Sequence, residues 1–147
     1  MLAAIVIGMV VAALCTLARW YLERSSLGSP AARDSRAVLQ PLYNEGAGFG
    51  CRWLRGGWLL AGSVAALALL LAEAGRRQNF AGRLGVGAAL GGGVSNLWER
   101  VRHGRVFDYI RFPKAPGRLG RLVFNLADFA ILLGAGCLLL SRLLHKK

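Results

Sequence analysis

From Leu90 to Ala130 the chain reads LGGGVSNLWERVRHGRVFDYIRFPKAPGRLGRLVFNLADFA, and three polar islands interrupt its apolar character. The first, Asn96-Leu97-Trp98-Glu99-Arg100, closes a glycine-rich apolar run. The second, Val106-Phe107-Asp108-Tyr109-Ile110, sets an acid among large apolar residues. The third, Phe124-Asn125-Leu126-Ala127-Asp128, lies in the opening turns of a long apolar helix expected over Leu122 to Leu140. An ionisable residue inside a bilayer helix costs roughly 2.5–3.5 kcal/mol on insertion scales, less near the membrane surface. Two carboxylates at such positions, Asp108 and Asp128, are expected to be brought together by folding. The remainder of the chain reads as their holder.

The composition fits that frame. Over 147 residues, a single domain by length, 55% are hydrophobic and only 18% charged. The charges gather between four apolar blocks rather than scattering over a soluble surface. A net charge of +12 would suggest nucleic acid in a soluble protein. Here the arginines border apolar blocks, so the bilayer and its anionic headgroups are the expected partner and nucleic acid is not. Cys15, Cys51 and Cys137 have neither CxxC spacing nor histidines beside them and read as small apolar fillers. His103 has no second ligand type near it, so no metal site is expected.

The first block, Leu2 to Leu22, gives roughly 31 Å of helix, enough to cross a bilayer. It lacks a basic n-region and is too long for an h-region, so it is expected to stay as a first span. Arg19, Trp20 and Tyr21 close it with a snorkelling cation and interfacial aromatics. The segment from Glu23 to Arg55 is polar and broken by Gly28, Pro30 and Pro41, which predicts an extramembrane loop or small sheet. Val38–Tyr43 and Phe49–Leu54 are expected as strands joined by a turn at Asn44-Glu45-Gly46. Gly57 to Ala74 is a second span, Leu84 to Trp98 a third and Leu122 to Leu140 a fourth. The third is the least apolar, but its Gly87 and Gly91 form a GxxxG pair suited to close helix packing. The expected architecture is all-α, four transmembrane helices with both termini on one side.

Two acids in a partly dry site cannot both ionise comfortably, so they share a proton. One then deprotonates a water while the other donates to a carbonyl oxygen, which is metal-free peptide hydrolysis. Asn125 precedes Asp128 by three residues and shares its helical face, and Asn96 and Arg100 share a face in the same way. Glu99 beside Arg100 reads as an ion pair fixing the end of the third span. Asp108 has a plainer alternative, a loop acid paired with Arg105 or Arg111.

The three islands, together with Asn44-Glu45-Gly46-Ala47-Gly48-Phe49, resemble signal peptidase II, the lipoprotein signal peptidase, in the order and spacing of its motifs over residues 38–135. The resemblance implies a single integral-membrane aspartic peptidase domain over 1–147. Asp108 and Asp128 take the places of the catalytic aspartates. Asn125, Asn96, Arg100 and Glu99 take supporting places, and Asn44 lies where the family lines its substrate site. The implied substrates are diacylglyceryl-modified prolipoproteins, cut just before the lipidated cysteine, with no cofactor and as a monomer. The implied setting is the bacterial cytoplasmic membrane, with the 23–55 loop as a small extracytoplasmic β-cradle and 109–121 as a flexible cover.

Four positions depart from the family pattern. Cys15 and Arg19 stand where an Asp and a Lys are usual, Glu99 stands for Asp, and Ser95 for Gly. Cys15 and Glu99 motivate one alternative, a non-catalytic relative that binds lipidated peptides. The side holding residues 23–55 and 99–121 also carries thirteen of the nineteen Lys/Arg, Arg19 included. A simple count makes that side cytoplasmic, whereas the resemblance makes it external; the motif arginines and loop lengths weigh the reading toward the resemblance.

Overall fold

The computed structural model describes residues 1–25, 36–47, 51–76 and 79–144. Four helices form it: α1 (Leu2–Arg24), α2 (Gly56–Ala74), α3 (Phe80–His103) and α4 (Leu126–Leu144). Five short strands lie between them: β1 (Val38–Asn44), β2 (Gly46–Ala47), β3 (Cys51–Arg55), β4 (Val106–Arg111) and β5 (Val123–Phe124). Among the described residues, α1, α2 and α4 are long and apolar enough to cross a membrane. Their outward residues include Leu17, Leu69 and Leu133, each more than 60% exposed. A lipid solvent satisfies so much exposed apolar surface where water would not.

The third helix is central. It packs against α1, α2 and α4 and buries most of its length, from Gly82 to Glu99. Its glycines let backbones meet. A Cβ on Gly87 would lie 2.7 Å from the Ala4 carbonyl, and one on Gly91 would strike the Gly8 carbonyl of α1. Against α4 the contact is reciprocal: a Cβ on Gly85 would lie 2.7 Å from Gly134 O, and one on Gly134 would lie 2.6 Å from Gly85 O. The GxxxG expectation is met. The helix is longer than the expected 84–98, because Asn79 caps its start by accepting Gly82 N–H at 2.7 Å. At the other end Gly104, at φ 70°, stops it in the left-handed region that glycine adopts freely.

The strands depart from expectation. β1 does not pair across a local hairpin; it runs antiparallel to β4, with Leu42 opposite Asp108, Tyr43 opposite Phe107 and Asn44 opposite Val106. β4 then pairs with β5 through Ile110–Phe124 and Arg111–Val123. The local hairpin is β2–β3 instead, while Phe49 lies outside the described residues. The Asn44 carboxamide oxygen accepts Gly46 N–H at 3.0 Å, an Asx turn that closes β1 rather than folding it back on β3. Residues 109–121 begin as strand and end in a 3-10 turn (Leu119–Arg121), with Arg111 Nε donating to Gly120 O at 2.8 Å. The last helix starts at Leu126 rather than Leu122, since Val123–Phe124 form β5. Apolar residues at a helix start and in a short buried strand look alike by hydropathy.

Candidate active site

Four elements converge where β4, β5 and the ends of α3 and α4 meet. β4 presents Asp108, of which 3% is exposed. Its Oδ2 accepts from Asn44 Nδ2 at 3.0 Å, and its Oδ1 accepts from Asn125 Nδ2 at 2.8 Å. Leu42 and Asp108 face each other across the β1–β4 ladder, so Asn44, two residues along β1, lies on the same face and within diagonal reach.

Asp128 is reached from the other side. Asn125 is the residue preceding α4, and its Oδ1 accepts Asp128 N–H at 2.9 Å while Asp128 Oδ2 accepts Asn125 N–H at 3.0 Å. This reciprocal pair is a capping box, here built from Asn and Asp. Asp128 therefore lies in the first turn of α4, not two turns deep. Its Oδ1 accepts from Asn96 Nδ2 at 3.1 Å, and Asn96 Oδ1 accepts from Asn125 Nδ2 at 3.1 Å. A network thus runs Asp108–Asn125–Asn96–Asp128, with Asn44 at its outer end. Gly92 permits the last step. A Cβ there would lie 2.5 Å from Ala127 O, so α3 approaches α4 closely one turn before Asn96.

Burial pushes the Asp108 carboxyl up from its ordinary 3.8 to about 7. The amide of Asn44 opposes that rise, the charge of Asp128 adds to it, and Asn125 and Arg100 oppose it. Desolvation disfavours the charged form, so at neutral pH Asp108 holds a proton for much of the time. The pair is then suited to acid–base work, with a protonated carboxyl close to a second carboxylate.

Arg100 stands at the margin. Its Nη1 donates to Asn96 O at 3.3 Å and its Nη2 to Gly46 O at 3.4 Å, while its buried Nε has no partner among the described residues. Glu99 faces away from the two aspartates. The expected Glu99–Arg100 pair is not formed: Glu99 Oε1 lies 3.6 Å from Arg19 Nε, and Oε2 accepts Phe107 N–H at 2.8 Å. Adjacent helical residues point about 100° apart, which turns Glu99 toward α1 and Arg100 toward β2. Nor does Asp108 pair with Arg105 or Arg111. Arg105 stacks over the Tyr43 ring and Arg111 engages Gln40 and Gly120.

Asn44, Asn96, Asp108, Asn125 and Asp128 thus meet in one hydrogen-bonded network, with Arg100 beside them. Sequence reasoning missed Tyr109, whose hydroxyl oxygen accepts Leu126 N–H at 3.1 Å and so satisfies a free donor of α4. Its place beside Asp108 was the available signal, but no spacing rule assigns it.

Residues 5–144 match the family described as Signal peptidase (SPase) II. Lipoprotein signal peptidases of Brucella ovis, Brucella canis and Brucella abortus are each 37% identical over 105 residues, covering 69% of this chain. That alignment spans 64% of each relative's length. Two solved structures described as bacterial membrane enzymes share the fold. The first has TM-score 0.77 at 18% identity, covering 98% of this chain and 89% of that one. The second has TM-score 0.76 at 19% identity, covering 95% and 92%. With the matched motifs, the apolar helices and the shared fold, this chain belongs to the signal peptidase II family.

Proposed function

We propose that this protein is a membrane aspartic endopeptidase that cuts diacylglyceryl-modified prolipoproteins just before the lipidated cysteine. The observation that carries the reading is the shared Asn125–Asn96 bridge between Asp108 and Asp128. It holds two carboxyls to one place from two different elements, as acid–base hydrolysis of a peptide requires. In this reading Asp128 takes a proton from water, the resulting nucleophile attacks the scissile carbonyl carbon, and Asp108 donates its proton to the carbonyl oxygen. Collapse of the tetrahedral intermediate breaks the C–N bond as Asp128 passes the proton it took from water to the leaving amine and Asp108 regains one from a hydroxyl of the intermediate. Asn44 and Asn125 keep Asp108 aimed.

We also read α3 as a fourth span, since its 24 residues make roughly 36 Å of helix and its polar and glycine positions face other helices. The chain then sits in the bacterial cytoplasmic membrane with its dyad and cradle near the extracytoplasmic face. Substrate enters sideways from the lipid, and the protein acts as a monomer without a cofactor.

The direct test uses purified protein in detergent with a diacylglyceryl-modified prolipoprotein and a metal chelator present. Wild type is expected to process it, with Asp108→Asn and Asp128→Asn each losing 10²-fold or more, the lower range of a lost acid or base. Well-folded wild type that binds substrate without cutting it would instead identify a lipopeptide-binding relative. Processing that survives either substitution would reject the dyad.

A further inference from the structure

We propose that Arg19 is a positioning residue for Asp108, acting through both strands that hold it; this rests on the peptidase reading above. Arg19 lies on α1, which contributes no residue to the Asp108–Asp128 network. Its Nη1 is 3.2 Å from Glu23 Oε2 and its Nε is 3.6 Å from Glu99 Oε1. Each carboxylate uses its other oxygen to hold a strand. Glu99 Oε2 accepts the backbone N–H of Phe107 at 2.8 Å, and Phe107 immediately precedes Asp108. Glu23 Oε1 accepts the Tyr43 hydroxyl at 3.0 Å, and Tyr43 immediately precedes Asn44, the donor to Asp108.

The two arms end on facing residues. Tyr43 and Phe107 are cross-strand partners, and their ring centroids lie 5.3 Å apart. One guanidinium therefore fixes the positions before Asp108 and before Asn44 together. The guanidinium meets the two carboxylates through separate nitrogens of a rigid fork, a spread that the single nitrogen of a lysine ammonium does not reproduce. Part-exposed ion pairs contribute little to stability, commonly 0–1 kcal/mol. Arg19 and Glu23 are of this kind, with side chains 19% and 33% exposed on the wall of an open polar cleft. The effect of Arg19 is thus expected on aim rather than on unfolding.

The same prolipoprotein assay tests this on the full chain. Arg19→Gln is expected to lower kcat about tenfold to a hundredfold, the scale of a misplaced reacting group. KM should stay within about twofold, because binding contacts are untouched. Arg19→Lys should recover part of the loss by keeping one arm. Amide hydrogen exchange across Val106–Arg111 should quicken in Arg19→Gln, a readout that needs no activity. If Arg19→Gln does not fold, Tyr43→Phe, which removes one exposed hydroxyl, must lower kcat severalfold at unchanged melting temperature. Wild-type kcat in the folded variant tested overturns the inference, as does a loss that tracks melting temperature with no recovery in Arg19→Lys. If wild type itself processes nothing, the peptidase reading fails, and β4 exchange alone decides: unchanged exchange in Arg19→Gln rejects the inference.

Discussion

Asn125 joins two tasks that proteins usually divide. Its side-chain nitrogen donates to Asp108 and Asn96, its oxygen caps α4, and its own N–H holds Asp128. The start of the helix and the geometry of the acids are one structure. The sequence placed Asn125 and Asp128 on a common face by their spacing of three. It could not show that the spacing was a capping box, because Leu122–Phe124 are as apolar as the helix they precede. The environment of Asp108 was less legible still, since Asn44 lies 64 positions away and only β1–β4 pairing brings it in. That environment has a pH signature. The folded state holds the Asp108 proton up to about 7, whereas the unfolded chain releases it near 3.8. Protons bound by the folded state in excess of the unfolded one mean that stability falls as pH rises. The contribution of Asp108 is fully present below about pH 4, declines through about pH 7 and is flat beyond. Thermal unfolding of wild type and Asp108→Asn in detergent across that window should show the difference between their midpoints shifting against wild type as pH rises. A difference independent of pH would mean Asp108 titrates normally.

At the level of elements, the contact between α3 and α4 sets the distance across the site. Gly85 and Gly134 each place backbone where the other's Cβ would go, so neither accepts alanine unless the helices part. Overpacking of this kind costs about 1–3 kcal/mol, and no flexible side chain is present to absorb it. Gly134→Ala is therefore expected to lower stability by about that amount. It should also reduce processing by widening the gap that Asn96 spans to Asp128. Gly62→Ala and Gly136→Ala, where nothing lies within 4 Å of an added Cβ, should unfold and process as wild type does. Equal behaviour of Gly134→Ala and Gly136→Ala would show that α3 and α4 are not in close backbone contact. The Gly87–Gly91 motif was readable because GxxxG is local. Gly85 and Gly134 form a pair only after folding, and the β1–β4 ladder was hidden for the same reason, its strands being separated by two whole helices.

The whole molecule poses the question of which side of the membrane it faces. Four helical blocks were legible from hydropathy, and the described residues contain four α-helices, three of them apolar enough to span by composition. The fourth, α3, is diluted by glycines and by Asn96, Glu99 and Arg100, residues it turns toward partners rather than lipid. Cation counting assigns the β-sheet end to the cytoplasm, with thirteen Lys/Arg against six. The rule acts through short flanking segments, however, and weakens for longer loops. Several of these cations also have work in the fold: Arg19 bridges two carboxylates, Arg100 holds Gly46, and Arg111 holds Gly120 and Gln40. The proposed function requires the opposite orientation, with the loops and the two acids on the outer side of the membrane. Single cysteines at exposed positions on each end decide between them. With Cys15, Cys51 and Cys137 replaced, Arg118→Cys should react with a membrane-impermeant maleimide in intact spheroplasts. Arg76→Cys, at the opposite end of the bundle, should react only after permeabilisation. The reverse pattern would put Asp108 and Asp128 at the cytoplasmic face, out of reach of a translocated lipoprotein precursor, and would overturn the proposed substrate even if both acids proved catalytic.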